Sequence, residues 1–139
     1  MIYIKKIYYE KYTKKSYSLS NVDLILERIF SKIKNGIYID IGCNHPIKYN
    51  NTYLLNKKGW KGINIDLDEE SINEFNKFRP NDINVCAAIS SKDGENKNIY
   101  LYHSRSTINT ISKSLVDKRI IKPKKIVNKK TKSLNKIIE

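Results

Sequence analysis

Apolar and polar positions alternate at two rhythms along this chain, one helical and one extended. Leu24, Ile25, Ile29, Phe30 and Ile33 recur at helical spacing. Ser20, with Asp23 three residues on, predicts a capped start, and Gly36 predicts the stop. Ile37–Ile41 is an apolar run interrupted only by Asp40, which suits a central parallel strand covered on both faces. Asn50 or Asn51 is placed to cap a helix from Thr52 to about Lys58, ended by Gly59. Gly62–Asp66 reads as a second strand. Asp68 opens a third helix reaching about Phe78, with Phe75 and Phe78 on one face and Arg79-Pro80 closing it. Ile83–Ile89 reads as a third strand, Ser91 to Gly94 as a turn, and Ile99–Tyr102 as a further strand suited to an edge. The pattern then weakens, leaving Ile126–Asn128 as a strand and Ser133–Ile138 as the start of a helix.

Strands that alternate with helices predict an α/β fold with a parallel sheet. Ligands of such sheets bind beyond the carboxyl ends of the strands. Gly42 follows the first strand directly, and a glycine there permits a tight turn and close approach of a ligand to the backbone. Asp40 is an acid in an apolar run beside that turn, suited to loop amides or to a cationic ligand group. Asp66 ends the second strand, 24 residues after Gly42, where an acid accepts from ribose hydroxyls. The turn reads Gly42-Cys43-Asn44-His45-Pro46 and lacks the second and third glycines of a dinucleotide fingerprint. Pro46 also delays the next helix, so a pyrophosphate would lack a helix N-terminus close by. S-adenosylmethionine, with its ammonium and sulfonium, fits an acid at the first turn better.

A chain of 139 residues predicts one domain, and no apolar run approaches the ~18 residues of a membrane-spanning helix. The opening MIYIKKIYYEKY is broken by charge every few residues, unlike a secretory signal, so a cytoplasmic location is expected. Cys43 and Cys86 have neither metal-ligand spacing nor a disulfide framework and are expected to be small buried residues. The net charge of +13 sits at the ends: +4 over residues 1–15, +8 over residues 113–139 and +1 between them. A basic tail can bind nucleic acid. Lysine far outnumbers arginine, however, and arginine is the residue of bidentate phosphate and base recognition, so a nucleic-acid partner is not expected.

The segments YIDIGCNHPIKYNNTYLLNKKGWKGINID and FNKFRPNDINVCAAIS, with the later INT at 108–110, resemble the FkbM family of S-adenosylmethionine-dependent methyltransferases. The resemblance covers about Ile37 to Thr110. It implies a Rossmann-like class I methyltransferase fold and O-methylation of a sugar or other small hydroxylated metabolite, by in-line displacement at the sulfonium methyl. Residues 1–36 would be a basic segment and lead-in helix, and residues 37–139 the N-terminal half of the methyltransferase domain. By position, Asp40, Gly42 and Asn44 would line the methionine part of the cofactor, with Cys43 where the family has a small residue. Asp66 would hold the ribose, and Leu67 with the Cys86-Ala87 turn would lie beside the adenine. His45 is the candidate general base, with a polar loop histidine as its plainer reading; Tyr49, Tyr53 and Trp60 read as packing residues. The family continues past the segment matching Lys125–Glu139 with a strand ending in an Asp-x-Glu-Gly type motif. The expectation is therefore an incomplete fold: a truncated protein, a split gene product or a remnant. Two other readings stand beside it: a non-catalytic cofactor-binding fragment completed by a partner chain, and a basic nucleic-acid-binding protein.

Overall fold

The computed structural model describes residues 14–103 and 105–139. Helix α1, Val22–Ile29, begins one residue later than expected, at Asn21. Asn21 takes a left-handed φ of 60° and makes no side-chain cap, so Ser20 and Asp23 do not form the predicted box. Asp23 turns back instead and accepts from Ser16 Oγ at 2.6 Å and from the Tyr17 N–H at 2.7 Å. The core face is also offset from the predicted stripe. Leu26 and Phe30 pack inward, while Ile25, Ile29 and Ile33 are exposed.

The first sheet is parallel, in the order β1 (Ile37–Ile41), β2 (Lys61–Asp66), β3 (Ile83–Cys86). Ile41 lies opposite Ile65, and Asp66 opposite Cys86, so the strands end level with one another. One face of this sheet is covered. Tyr38, Leu55 and Trp60 form a buried cluster there, joined by Leu26 and Phe30. Burying each of the three stabilises the fold by roughly 1.5–3 kcal/mol. Gly62 is required at this contact: a Cβ on it would lie 2.0 Å from the Tyr38 ring. The other face corrects the expectation of a doubly covered central strand. Among the described residues β1 is an edge strand, and its Ile37, Ile39 and Ile41 are 77%, 41% and 54% exposed.

Helix α2, Tyr53–Lys57, stops where Gly59 takes a φ of 88°; the Gly59 and Trp60 N–H groups return to the Asn56 and Leu55 carbonyls. Helix α3, Glu69–Phe78, is capped by Asp68, whose carboxylate accepts from the Glu70 N–H at 3.0 Å. Its Ile72 and Phe75 pack on Cys43, whereas Phe78 is exposed and does not share their face.

The predicted third strand breaks in two. At Ala87 the chain leaves β3, and β4 (Ala88–Ile89) joins a second sheet, ordered β4-β6-β5. β5 (Asn96–Leu101) is an edge there, as expected, and runs antiparallel to β6 (Lys125–Lys132). Helix α4 (Lys113–Lys118), capped by Ser112, had no clear sequence signal, and α5 (Leu134–Ile138) begins at Ser133 as predicted. Among the described residues no helix is long and apolar enough to cross a membrane, and no group of three His, Cys, Asp or Glu side chains is placed to hold a metal ion.

Candidate functional site

The ends of β1 and β2 are tied together by backbone before any side chain acts. The Ile65 carbonyl accepts from the Gly42 N–H at 2.8 Å and the Cys43 N–H at 3.2 Å. Gly42 has a φ of 76°, and a Cβ built on it would meet nothing within 4 Å. The turn therefore presents bare backbone to open space, the feature that lets a ligand lie close.

Asp66 closes the turn from the other strand. Its carboxylate accepts from the Asn44 N–H and the Asp68 N–H, both at 2.9 Å. A carboxylate offers about four lone-pair sites, so these bonds do not use all of its accepting capacity. Burial raises the Asp66 pKa, against the opposing pull of those two N–H groups.

Gly42 and Asp66 share the wall of a cavity of about 290 Å³, near the lower end of the ~300–1,000 Å³ common for small-molecule sites. The other walls are Asn44 after β1, Leu67 after β2, Ala87–Ile89 after β3, and the 106–111 loop. Five of the sequence-predicted positions thus meet: Gly42, Asn44, Asp66, Leu67 and Ala87. Three do not line the cavity. Asp40 accepts from Thr52 Oγ1 at 2.8 Å and Asn50 Nδ2 at 3.3 Å, beneath the turn. Burial raises its pKa too. Cys43 is buried against α3, as expected. Cys86 is exposed rather than buried, its Sγ directed at the Leu67 carbonyl at 3.7 Å.

His45 Nδ1 accepts from the Ile47 and Lys48 N–H groups, both at 3.0 Å. This fixes a neutral ring with its proton on Nε2. Burial lowers the His45 pKa further, helped by the nearby charge of Arg105. A ring held this way donates from Nε2, which argues against its use as a general base.

Two groups had no assigned site role in the sequence: the INT segment at 108–110 entered only through the resemblance, and Arg79 only as a helix end. The 106–111 loop is fastened over the cavity by Asn109, whose Oδ1 accepts from the Tyr102 N–H at 2.9 Å and whose Nδ2 donates to Asp68 Oδ2 at 3.3 Å. Arg79, read only as a helix end, is a buried hub. Its guanidinium donates to the Pro46 carbonyl, to Asn50 Oδ1 at 2.7 Å, and to Thr52 Oγ1 and the Tyr38 hydroxyl at 3.1 Å. The available signal was scarcity: only four of the 27 basic residues are arginines, and two of them, Arg79 and Arg119, donate from their guanidinium groups to the loops around this site.

Compared with protein-family models, curated proteins and solved structures, the chain matches none.

Proposed function

We propose that this chain is an S-adenosylmethionine-binding protein of the FkbM methyltransferase type, acting on a hydroxyl of a sugar or other small metabolite. The carrying observation is the shared cavity wall of Gly42 and Asp66, with the Asp66 carboxylate held at the end of β2 by the Asn44 and Asp68 N–H groups. Asp66 would hold the two ribose hydroxyls, Leu67 and Ala87 would flank the adenine, and the bare backbone of Gly42 would face the methionine end. When bound, the cofactor supplies an electrophilic methyl group on a sulfonium. The chain's own contribution is positioning, which for well-oriented reactants is equivalent to effective molarities of ~10⁵ M or more. Asp40 acts at one remove in this arrangement. It fixes Asn50 and Thr52, and Asn50 in turn donates to the Cys43 carbonyl at 3.3 Å.

Isothermal titration calorimetry with S-adenosylmethionine tests the reading. Saturable binding is expected, and Asp66→Ala should weaken it about 10- to 100-fold, the loss expected for one to two charge-assisted hydrogen bonds. Absence of binding by the intact chain would overturn the reading.

A second reading rests on a different observation. The outer edge of β1 pairs with no described residue, and Ile37, Ile39, Ile41 and Ile83 leave one sheet face apolar and open. Parallel sheets bury both faces. A non-catalytic cofactor-binding chain would be completed by a partner supplying a strand for that edge and an apolar helix face for those isoleucines. Cofactor binding without methyl transfer until such a partner is added would favour it.

A further inference from the structure

A second cavity, of about 330 Å³, opens beside the first and shares Asn44 and Thr107 with it. Its character is different. Lys48 and Arg105 bring two positive charges to it, and His45 and His103 add two imidazoles. Two acids stand close by: Glu74 lies 3.9 Å from the Arg105 guanidinium, at the limit of an ion pair, and Asp68 Oδ2 accepts from the Arg105 N–H at 2.7 Å. His45 presents its Nε2–H as a donor, because Nδ1 is occupied. Tyr49 adds an aromatic face that is 69% exposed.

The backbone singles out the same place. Five described non-glycine residues have positive φ, and three of them line this cavity: Asn44 at 53°, Tyr49 at 53° and Arg105 at 52°. Such a conformation is costly for an L-residue, and it collects where a chain is bent to serve a ligand. An asparagine tolerates it; a tyrosine and an arginine rarely adopt it. Tyr49 and Arg105, both held in this conformation, line one opening.

We infer that this second cavity binds an oxyanion, phosphate or carboxylate, carried by the hydroxylated acceptor whose reacting hydroxyl reaches the first cavity. Lys48 and Arg105 supply charge, Arg105 supplies a planar pair of donors matched to two oxygens, and His45 supplies a neutral donor. The Tyr49 ring covers an apolar face of the acceptor. Because Asn44 and Thr107 line both cavities, an acceptor anchored by its anion in the second would extend toward the first. The acceptor role rests on the methyl-donor reading above; the anion site rests on its own side chains.

The test compares glucose 6-phosphate, glucuronate and glucose by calorimetry with the full chain, in low and in physiological salt. One or both charged sugars should bind at least 10-fold more tightly than glucose, and the difference should shrink as salt screens the charges. The phosphate and carboxylate arms identify which oxyanion the site prefers. Lys48→Gln with Arg105→Gln should remove the preference while leaving S-adenosylmethionine affinity within about twofold. Circular dichroism confirms that this variant is folded, and Lys124→Gln with Lys125→Gln controls for general charge. Equal binding of glucose and its charged forms would overturn the inference, as would a preference that survives in the Lys48/Arg105 variant. Charged-sugar binding without any S-adenosylmethionine binding would instead refute the methyl-donor reading, and the acceptor role with it.

Discussion

Asp66 does two jobs with one carboxylate. Backbone N–H groups use it to set the Gly42 turn, and the residue also lines the cavity. Asp40 has a similar environment but no cavity face, because Thr52 and Asn50 occupy it below the turn. Burial raises both pKa values. The sign follows from proton counting. In the window between the ordinary aspartate value of ~3.9 and the raised folded value, the folded chain holds more protons than the unfolded one. The associated stability is therefore complete below the unfolded value and is lost as pH rises through the folded one. A ligand hydroxyl donating to Asp66 favours the ionised form and should pull its pKa back down. Carboxyl-carbon NMR titration should find both aspartates titrating above ~3.9. Saturating S-adenosylmethionine should then lower Asp66 and leave Asp40 in place. A ligand-induced shift confined to Asp40 would show that the ribose contact has been assigned to the wrong acid.

At the scale of elements, the β1–turn–β2 unit was legible because each step has a local cause. Ile37–Ile41 is an apolar run, Gly62–Asp66 alternates isoleucine with other residues, Gly42 permits the turn, and Gly59 ends the helix between them. What was not legible depends on partners distant in the chain. Ile83–Ile89 reads as one strand, yet it splits because pairing with β2 ends at Cys86, with the Ala87 N–H on the Asp66 carbonyl as the last rung, and β4 then finds β6, more than 40 residues away. β6 was seen only at its apolar centre, since lysines at half its positions hid the strand at both ends. Arg79 is the strongest case. Its acceptors lie 27 to 41 residues upstream, so no local pattern announces it. Its planar fork is what lets one side chain reach the Pro46 carbonyl, Asn50, Thr52 and Tyr38 together. Lysine has a single ammonium and cannot span them. Arg79→Lys should destabilise the fold by about 3 kcal/mol, in the range for breaking a buried charged network. Urea unfolding measures this, and a loss under ~0.5 kcal/mol, the scale of a neutral surface change, would refute the hub role.

For the whole molecule, the decisive contrast is between two faces of one sheet. The covered face carries Tyr38 and the polar network under the turn; the open face carries a row of isoleucines beside an edge that no described residue pairs. Unpaired edges with apolar side chains are templates for association, and natural proteins guard them with charge, lysine above all. The charge distribution offers little guarding here. The excess positive charge lies at the two ends of the chain, while residues 16–112 are nearly neutral at +1. Strand β1 itself contains no lysine, and its single acid, Asp40, points into the covered side to meet Thr52 and Asn50. Ile39 sits at the middle of this edge and is 41% exposed. Replacing it with lysine places a guard there without touching Tyr38, Gly42 or Asp66, which face other neighbours. Ile39→Lys should therefore reduce concentration-dependent association in sedimentation velocity, while S-adenosylmethionine affinity stays within about threefold of the parent, as expected for sites with no shared contacts. Association unchanged by Ile39→Lys would mean that the open edge is not the sticky surface. Lost association accompanied by lost cofactor binding would mean that assembly across β1 completes the cofactor site itself.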